Sequence, residues 1–499
     1  MTVPAHQPAP TDAFSSGDAP EWSRRATWVG GADLETEAVQ AREEGRDLTE
    51  LSATLERLLA VPKPDDTWFP HLGGGRDQRW QLEAEALMDA IQAAPIRADF
   101  PYDEPSDLPG IRAARPPQTA DHPAADQARY ETQLHAGWLG RVAGCLLGKS
   151  LEGHDRHSIR VMAEVTGNWP ITDYLVRPDA EQTKRIAEHK PRKMPKPMAP
   201  GGYGGEIDGM IPDDDINYTI LGHDLVERYG CDFRPLDVAE MWLTHLPMKA
   251  TCTAERIAYR NLAAGILPPS TATHRNPCRE WIGAQIRADY FGYANPGRSE
   301  RAAEWAWRDA SLSHVKNGIY GEMWVAAMLA VAFVEDEITA VLRGGLAQVP
   351  AQCRLAEAVE ALIGFHAGGG SWEDAVAGIH GRWDELTHHG WCHTISNAEI
   401  TTAALLWAGD DFEKLMGLSV MAGFDTDCNA ATAGSVFGVM HGATKGAAAI
   451  PEKWAGPLND HGQSNVASHQ TFRIEALAAE MAATAVREGA FAEQSEGTS

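Results

Sequence analysis

Positive charge, paired cysteines and long apolar runs are all scarce in this 499-residue chain. Lysine and arginine number 43 against 70 acidic residues, a formal net charge of −27. A balance that acidic argues against nucleic acid and anionic membrane as partners, while leaving room for a local basic pocket for a phosphorylated ligand. The seven cysteines (145, 231, 252, 278, 353, 392, 428) are odd in number and contain no C-x-x-C pair. Free thiols in a reducing compartment are the simplest account, so a cytoplasmic protein is expected. No uninterrupted apolar run approaches the roughly 20 residues that span a bilayer. The opening MTVPAHQPAPTDAF has neither the basic flank nor the apolar core of a secretory signal. G-x-S-x-G, G-x-x-x-x-G-K-[ST] and H-E-x-x-H are also missing. Serine hydrolases, P-loop enzymes and zincins lose support accordingly.

Two acidic helix starts stand out among what is there. Gly423-Phe424-Asp425-Thr426-Asp427-Cys428-Asn429 runs into a small-residue helix, and Pro212-Asp213-Asp214-Asp215 runs into INYTILGHDLV. Carboxylates at such positions ordinarily satisfy free backbone N–H groups and oppose the helix dipole. The bland reading is therefore a pair of over-capped helices. Two aspartates flanking a threonine hydroxyl, however, also make a hard-oxygen cluster suited to Mg²⁺ or Ca²⁺. Three consecutive aspartates repel one another where one would cap as well, and a bound cation would relieve that repulsion.

Glycine is placed with equal regularity. Gly137, Gly140, Gly144 and Gly148 recur along GWLGRVAGCLLGK, and Gly434, Gly438 and Gly442 along the helix after Asp427. Each glycine in a helix interior costs about 1 kcal/mol against alanine. Two such stripes suggest that one backbone closely approaches another, and each stripe is the natural partner of the other.

Along the chain, residues 1–128 read as an N-terminal extension with a mobile start, two helical stretches (34–60 and 79–94) and a Pro-rich linker after Pro95. Residues 129–487 read as the core and 488–499 as a disordered tail. From 236 onward nearly every segment has helical periodicity and few alternate as strands do. The expected fold is all-α. Within the core, residues 151–211 are the least regular; their basic run (Lys190, Arg192, Lys193, Lys196) could meet a phosphate or simply face solvent. The histidines of THHGWCH lack zinc spacing and read as part of a pocket-lining loop.

PDDDINYTIL and GFDTDCNAATAGSVFGVMHG, with GRVAGCLLGK as an opening helix and Thr394–Ala422 as the approach to the last acidic motif, resemble the ADP-ribosylglycohydrolase family (dinitrogenase reductase-activating glycohydrolase-like). The resemblance covers roughly residues 134–485. It implies an orthogonal multi-helix domain, here carrying the helical extension. It implies hydrolysis of the N-glycosidic bond to ribose in an ADP-ribosyl or related N-riboside, with one or two Mg²⁺ ions and Mn²⁺ as a substitute. Asp213, Asp214, Asp215, Asp425 and Asp427 are the implied metal ligands, with the register of the first three open. Glu152, Asp214 and Asp425 are the implied catalytic groups; Glu206 and Asp208 are alternative acid/bases. Gly423, Thr426, Asn429, Arg287 and Tyr293 are the implied substrate contacts, with Asp289 and Tyr290 beside them.

The chain departs from that pattern at Pro212 and Cys428, where the family has threonine, and at Lys149, where an aspartate is common. These departures put the second ion in doubt and point to a nucleoside or NAD-derived metabolite rather than a protein-linked substrate. Two other classes stay open: an ADP-ribose-binding module without catalysis, and an interaction scaffold. The oligomeric state is open as well.

Overall fold

The structure, a computed structural model, describes residues 33–61, 78–117, 123–195 and 201–491. Among these residues the fold is all-α. The two strands, Gly462–Gln463 and Thr471–Phe472, form one short antiparallel ladder with Gly462 opposite Phe472. The chain divides into two compact units, Met1–Phe100 with His274–Cys278, and Pro101–Thr273 with Arg279–Ser499.

In the smaller unit, α1 (Leu34–Glu43), α2 (Ser52–Leu59) and α3 (Gln78–Ala93) share a core of Leu34, Ala38, Leu55, Leu58, Leu87 and Ile91. The Asp33 carboxylate starts α1 by accepting from the Thr36 N–H at 3.1 Å. The apolar pattern through 34–60 does not give one continuous helix. Gly45 takes a left-handed φ of 78°, and a side chain there would run into the Phe100 ring. Arg275 ties the segment 274–278 to this unit through Asp89 on α3, at 3.0 and 2.8 Å, and through Glu85.

The larger unit contains more of the chain than the expected core. The segment read as a linker forms α4 (Leu108–Ala114), whose Leu108 and Ile111 are buried in the main core. Asp103 N–H donates to the Gln352 carbonyl at 2.9 Å, and Trp307 Nε1 to the Ser106 carbonyl at 2.9 Å. Proline removes the helical signature from this segment, but its backbone groups find specific partners all the same. Residues 488–490, expected in the disordered tail, have defined partners. Arg301 holds the Glu488 and Gly489 carbonyls at 2.7 and 3.0 Å, and Ala490 is buried. The mobile start, residues 1–20, and residues 492–499 lie outside the described residues.

The central framework is a pair of long helices, α5 (Gln127–Lys149) and a helix near the other end of the chain. Between them come α6 (Arg156–Thr166), α7 (Asp214–Tyr229) and α8 (Thr394–Ala408); the partner of α5 is α9 (Thr426–Lys445). Gly140 lies on Gly434, Gly144 on Ala430, Gly438 on Ala136, and Gly148 on the Thr426–Asp427 peptide. A Cβ at any of these glycines would collide with the backbone opposite. The stripes therefore pair, and the helices run antiparallel with their main chains in contact. This brings the C-terminus of α5 against the N-terminus of α9. The irregular stretch before α7 is held in place by the 456–463 segment: Met210 N–H donates to the His461 carbonyl and Gln463 N–H to the Met210 carbonyl, both at 2.9 Å.

Candidate active site at two helix starts

Asp213 is the N-cap of α7. Its Oδ1 accepts from the Asp215 N–H at 2.9 Å, in extended backbone that Pro212 is suited to precede. Asp425 occupies the same position on α9, yet its side chain makes no capping hydrogen bond. Its own N–H donates instead to Asn397 Oδ1 at 3.0 Å. The turn before it is unusual: Gly423 has φ 79° and the buried Phe424 has φ 59°, a left-handed conformation that L residues rarely adopt. Trp391 Nε1 holds the Phe424 carbonyl at 2.6 Å, and the Glu385 carboxylate lies against Gly423 and the Arg156 N–H at the start of α6. Such strain persists only where surroundings over-determine it. Here it leaves the Asp425 carboxylate uncommitted to its own helix.

The glycine contact at Gly148 sets the next residue, Lys149, between the two helix starts. Lys149 Nζ lies 2.5 Å from Asp213 Oδ2, 3.0 Å from Glu152 Oε2 and 3.4 Å from Asp427 Oδ2. Behind this, the buried Arg141 pairs with Asp215 Oδ1 at 3.2 Å and Asp289 Oδ2 at 2.8 Å, and also donates to the Asp215 carbonyl at 2.9 Å. Glu152, Asp213, Asp215 and Asp427 thus face two fixed cations, with Asp214 and Asp425 beside them. Burial raises Asp214, Asp215 and Asp425 well above the usual carboxylate range. Asp213 adds to the effect at Asp214, Asp427 adds to it at Asp425, and Arg141 opposes it at Asp215. Burial and then Glu152 bring Asp427 up to about 6 against the pull of Lys149. Burial alone would lower the Lys149 ammonium, but Asp213, Glu152 and Asp427 outweigh it and hold it well above its ordinary value.

The donor set fits a hard divalent cation on one side of the cluster. Asp427 Oδ1 is buried and accepts no hydrogen bond. Oxygens of Asp425 and Asp427 come within 4.8 Å of each other and of Cys428 Sγ. Cys428 itself is a neutral thiol, because burial and then Asp215 push its pKa well up, and its Sγ donates to Asp215 Oδ2 at 3.2 Å. A protonated thiol is a poor ligand for such an ion.

The structure therefore brings Glu152, Asp213, Asp214, Asp215, Asp425 and Asp427 together. Gly423, Thr426 and Asn429 adjoin them, but the Thr426 hydroxyl donates to the Gly148 carbonyl at 2.8 Å, and Asn429 Nδ2 to Asn397 Oδ1 at 2.9 Å. Both are engaged in holding the turn. Arg287 and Tyr293, expected to touch substrate, are in the interior. Arg287 is 1% exposed, ion-paired with Asp309 at 2.5 Å and with Glu255 at 3.4 Å, and lies over the rings of Tyr218 and Trp242. Tyr293 bonds Ser435 and Asp289 from a buried position, and Asp289 and Tyr290 are buried too. Glu206 is held by Arg177 at 2.7 and 2.9 Å and Asp208 accepts from Asn459, so Glu152 is the acid/base candidate at the cluster. Arg192 donates to the Leu386 carbonyl at 2.9 Å, and Lys196 lies outside the described residues. His393 caps α8 through Nδ1, 3.1 Å from the Ile395 N–H. Sequence reasoning missed the organising roles of Asn397, Glu385 and Arg141. Arg141 alone left a trace, as the one charge inside the first glycine stripe.

The family model described as ADP-ribosylglycohydrolase matches residues 126–490, which takes in both helix starts and the glycine stripes. Among solved structures the chain is similar to one from an ADP-ribosylglycohydrolase-related protein complex. That similarity has 21% identity and a TM-score of 0.43, over 72% of this chain and 99% of that one. No curated protein matches.

Proposed function

Because this chain belongs to the ADP-ribosylglycohydrolase family, we propose that it is a Mg²⁺-dependent hydrolase that cleaves the N-glycosidic bond to ribose in an ADP-ribosyl compound or a related N-riboside. The observation that carries this reading is Asp425: a carboxylate at a helix start, uncommitted to its own helix and turned into a cluster with Asp427 and Glu152. Asp425, Asp427 and Asp214 would hold the ion. When bound, Mg²⁺ supplies oxygen-selective ligation with open positions that suit a vicinal diol and a water.

The remaining chemistry is the chain's own. Glu152 is the least buried carboxyl of the cluster for which a pairing is seen, at 28% exposure, and it is paired with Lys149 at 3.0 Å. It can accept the proton of an attacking water from the solvent side. The anomeric centre passes through an oxocarbenium-like state, which clustered carboxylates stabilise. The strained turn at Phe424, fixed by Trp391 and Asn397, keeps Asp425 oriented without help from substrate. Cys428, Pro212 and Lys149, where the family pattern has other residues, favour a small N-riboside over a protein-linked one.

The test is incubation of NAD, ADP-ribosyl peptides and nucleosides in ¹⁸O-water, with Mg²⁺ and with EDTA. Label on the anomeric carbon of a released ribose, lost in EDTA, is the expected result; no ribose release from any of them would exclude the reading. One observation favours a second reading. Lys149 neutralises part of the cluster, which suits an ADP-ribose-binding module without turnover. That module would bind ADP-ribose in a separate titration and release nothing from these substrates.

A further inference from the structure

The Lys149 side chain reaches into a place where three carboxylates converge from three separate elements. Asp213 comes from the cap of α7, Asp427 from the first turn of α9, and Glu152 from the link after α5. The Lys149 side chain is 22% exposed, whereas those of Asp213 and Asp427 are 0% and 4% exposed. An ammonium has three N–H donors, and here three carboxylate oxygens surround it. We propose that Lys149 is a built-in cation that takes the place of one metal ion in this site, so that the chain binds one divalent ion where its carboxylates could otherwise hold two. This rests on the reading of the cluster as a divalent-cation site.

The oxygens divide accordingly. Asp213 has Oδ1 bound by the Asp215 N–H and Oδ2 ion-paired with Lys149 Nζ at 2.5 Å. Asp215 is engaged by Arg141 and by the Cys428 thiol. Asp427 is split: Oδ2 faces Lys149 while Oδ1 has no donor. The single ion then falls to Asp427 Oδ1 and Asp425, whose oxygens come within 4.8 Å of each other, with Asp214 as the neighbouring carboxylate. A second ion on Asp213 and Asp427 Oδ2 would have to expel Lys149 against like-charge repulsion. Lys149 cannot simply swing aside with the main chain, because Gly148 is wedged against the Thr426–Asp427 peptide. An ammonium also differs from a metal ion in what it cannot do: it offers no open coordination position, so it neutralises the α7 carboxylates without binding substrate there.

The test counts ions and does not depend on turnover. Wild type, Lys149→Asp and Lys149→Met, each shown to be folded by its cooperative melting, are titrated with Mn²⁺ and the free ion is read by electron paramagnetic resonance. The expected stoichiometry is one per chain in the wild type and two in Lys149→Asp. Lys149→Met frees the same oxygens without adding a ligand, so it should gain a second ion at least tenfold weaker than the first. Two ions of similar affinity in the wild type would overturn the proposal while leaving the metal site intact. A count of one in all three proteins would overturn it as well. No Mn²⁺ bound by any of them would instead remove the cation-site reading on which the proposal stands.

Discussion

The two acidic helix starts look alike in sequence and are built in opposite ways. At α7 the aspartates are satisfied from within: Asp213 caps its own helix and meets Lys149, and Asp215 meets Arg141. At α9 the capping position is present but its carboxylate is not used as a cap, because Asn397 takes the Asp425 N–H and a left-handed Phe424 turns the chain. A count of acidic residues therefore overstates the ligands a site offers. What decides is where the nearby N–H groups and cations find their partners.

The comparison breaks hardest at Arg141. Arg141→Met leaves Asp215 and Asp289 buried without their cation, and losing one partner of a buried pair costs about 3–5 kcal/mol. Urea unfolding should show that loss; a change below about 1 kcal/mol would mean that the α7 side does not depend on its internal cation.

On the α9 side, pH is the sharper tool. Burial raises Glu385, which lies against Gly423, to about 7 from an ordinary 4.5. Below about pH 4.5 it is protonated whether folded or unfolded. Between about 4.5 and 7 the folded chain keeps a proton that the unfolded chain releases, so stability falls as pH rises. Above about 7 the whole penalty is present, on the order of 3 kcal/mol. Glu385→Gln should flatten the difference in unfolding free energy between pH 5 and pH 8; an unchanged slope would take Glu385 out of the turn's energetics.

The ligand contrast comes next. Asp425→Asn should weaken Mg²⁺ binding by about 100-fold or more, since outer contacts alone are worth about 10–100-fold. Asp213→Asn should weaken it less than tenfold. Calorimetry on both variants checks this, and equal losses would erase the difference between the two starts. Cys428, which links them, should matter least. Cys428→Ser keeps a donor to Asp215 and should alter stability by under about 1 kcal/mol, whereas Cys428→Ala removes it at a cost of about 1–2 kcal/mol by melting.

Much of this was legible in the sequence, for physical reasons. Aspartates at a helix start and glycines at helical spacing are local signals, and both led to the right elements. The motif-by-motif resemblance then led to the right family. Lys149 was visible as a departure, but its reach was not, because the side chain crosses to carboxylates 64 and 278 residues away in sequence. Arg287 read as a substrate contact because its partners Glu255, Asp309 and Glu322 are scattered along the chain, and no local pattern announces a buried charge network. Asn397 was hidden for the same reason, since its amide serves two residues of a distant turn.

The glycine contact between α5 and α9 makes the site a mechanical gauge. Where main chain touches main chain from Gly148 to Gly438, the span from Lys149 to Asp427 is fixed by peptide dimensions and cannot be trimmed by exchanging side chains. One residue inserted in either helix within that contact would rotate everything beyond it by about 100° and carry a carboxylate or the ammonium out of reach. Changes in chain length are therefore tolerable only outside this stretch, and the loops around the cluster are free to diversify while its charges stay in register.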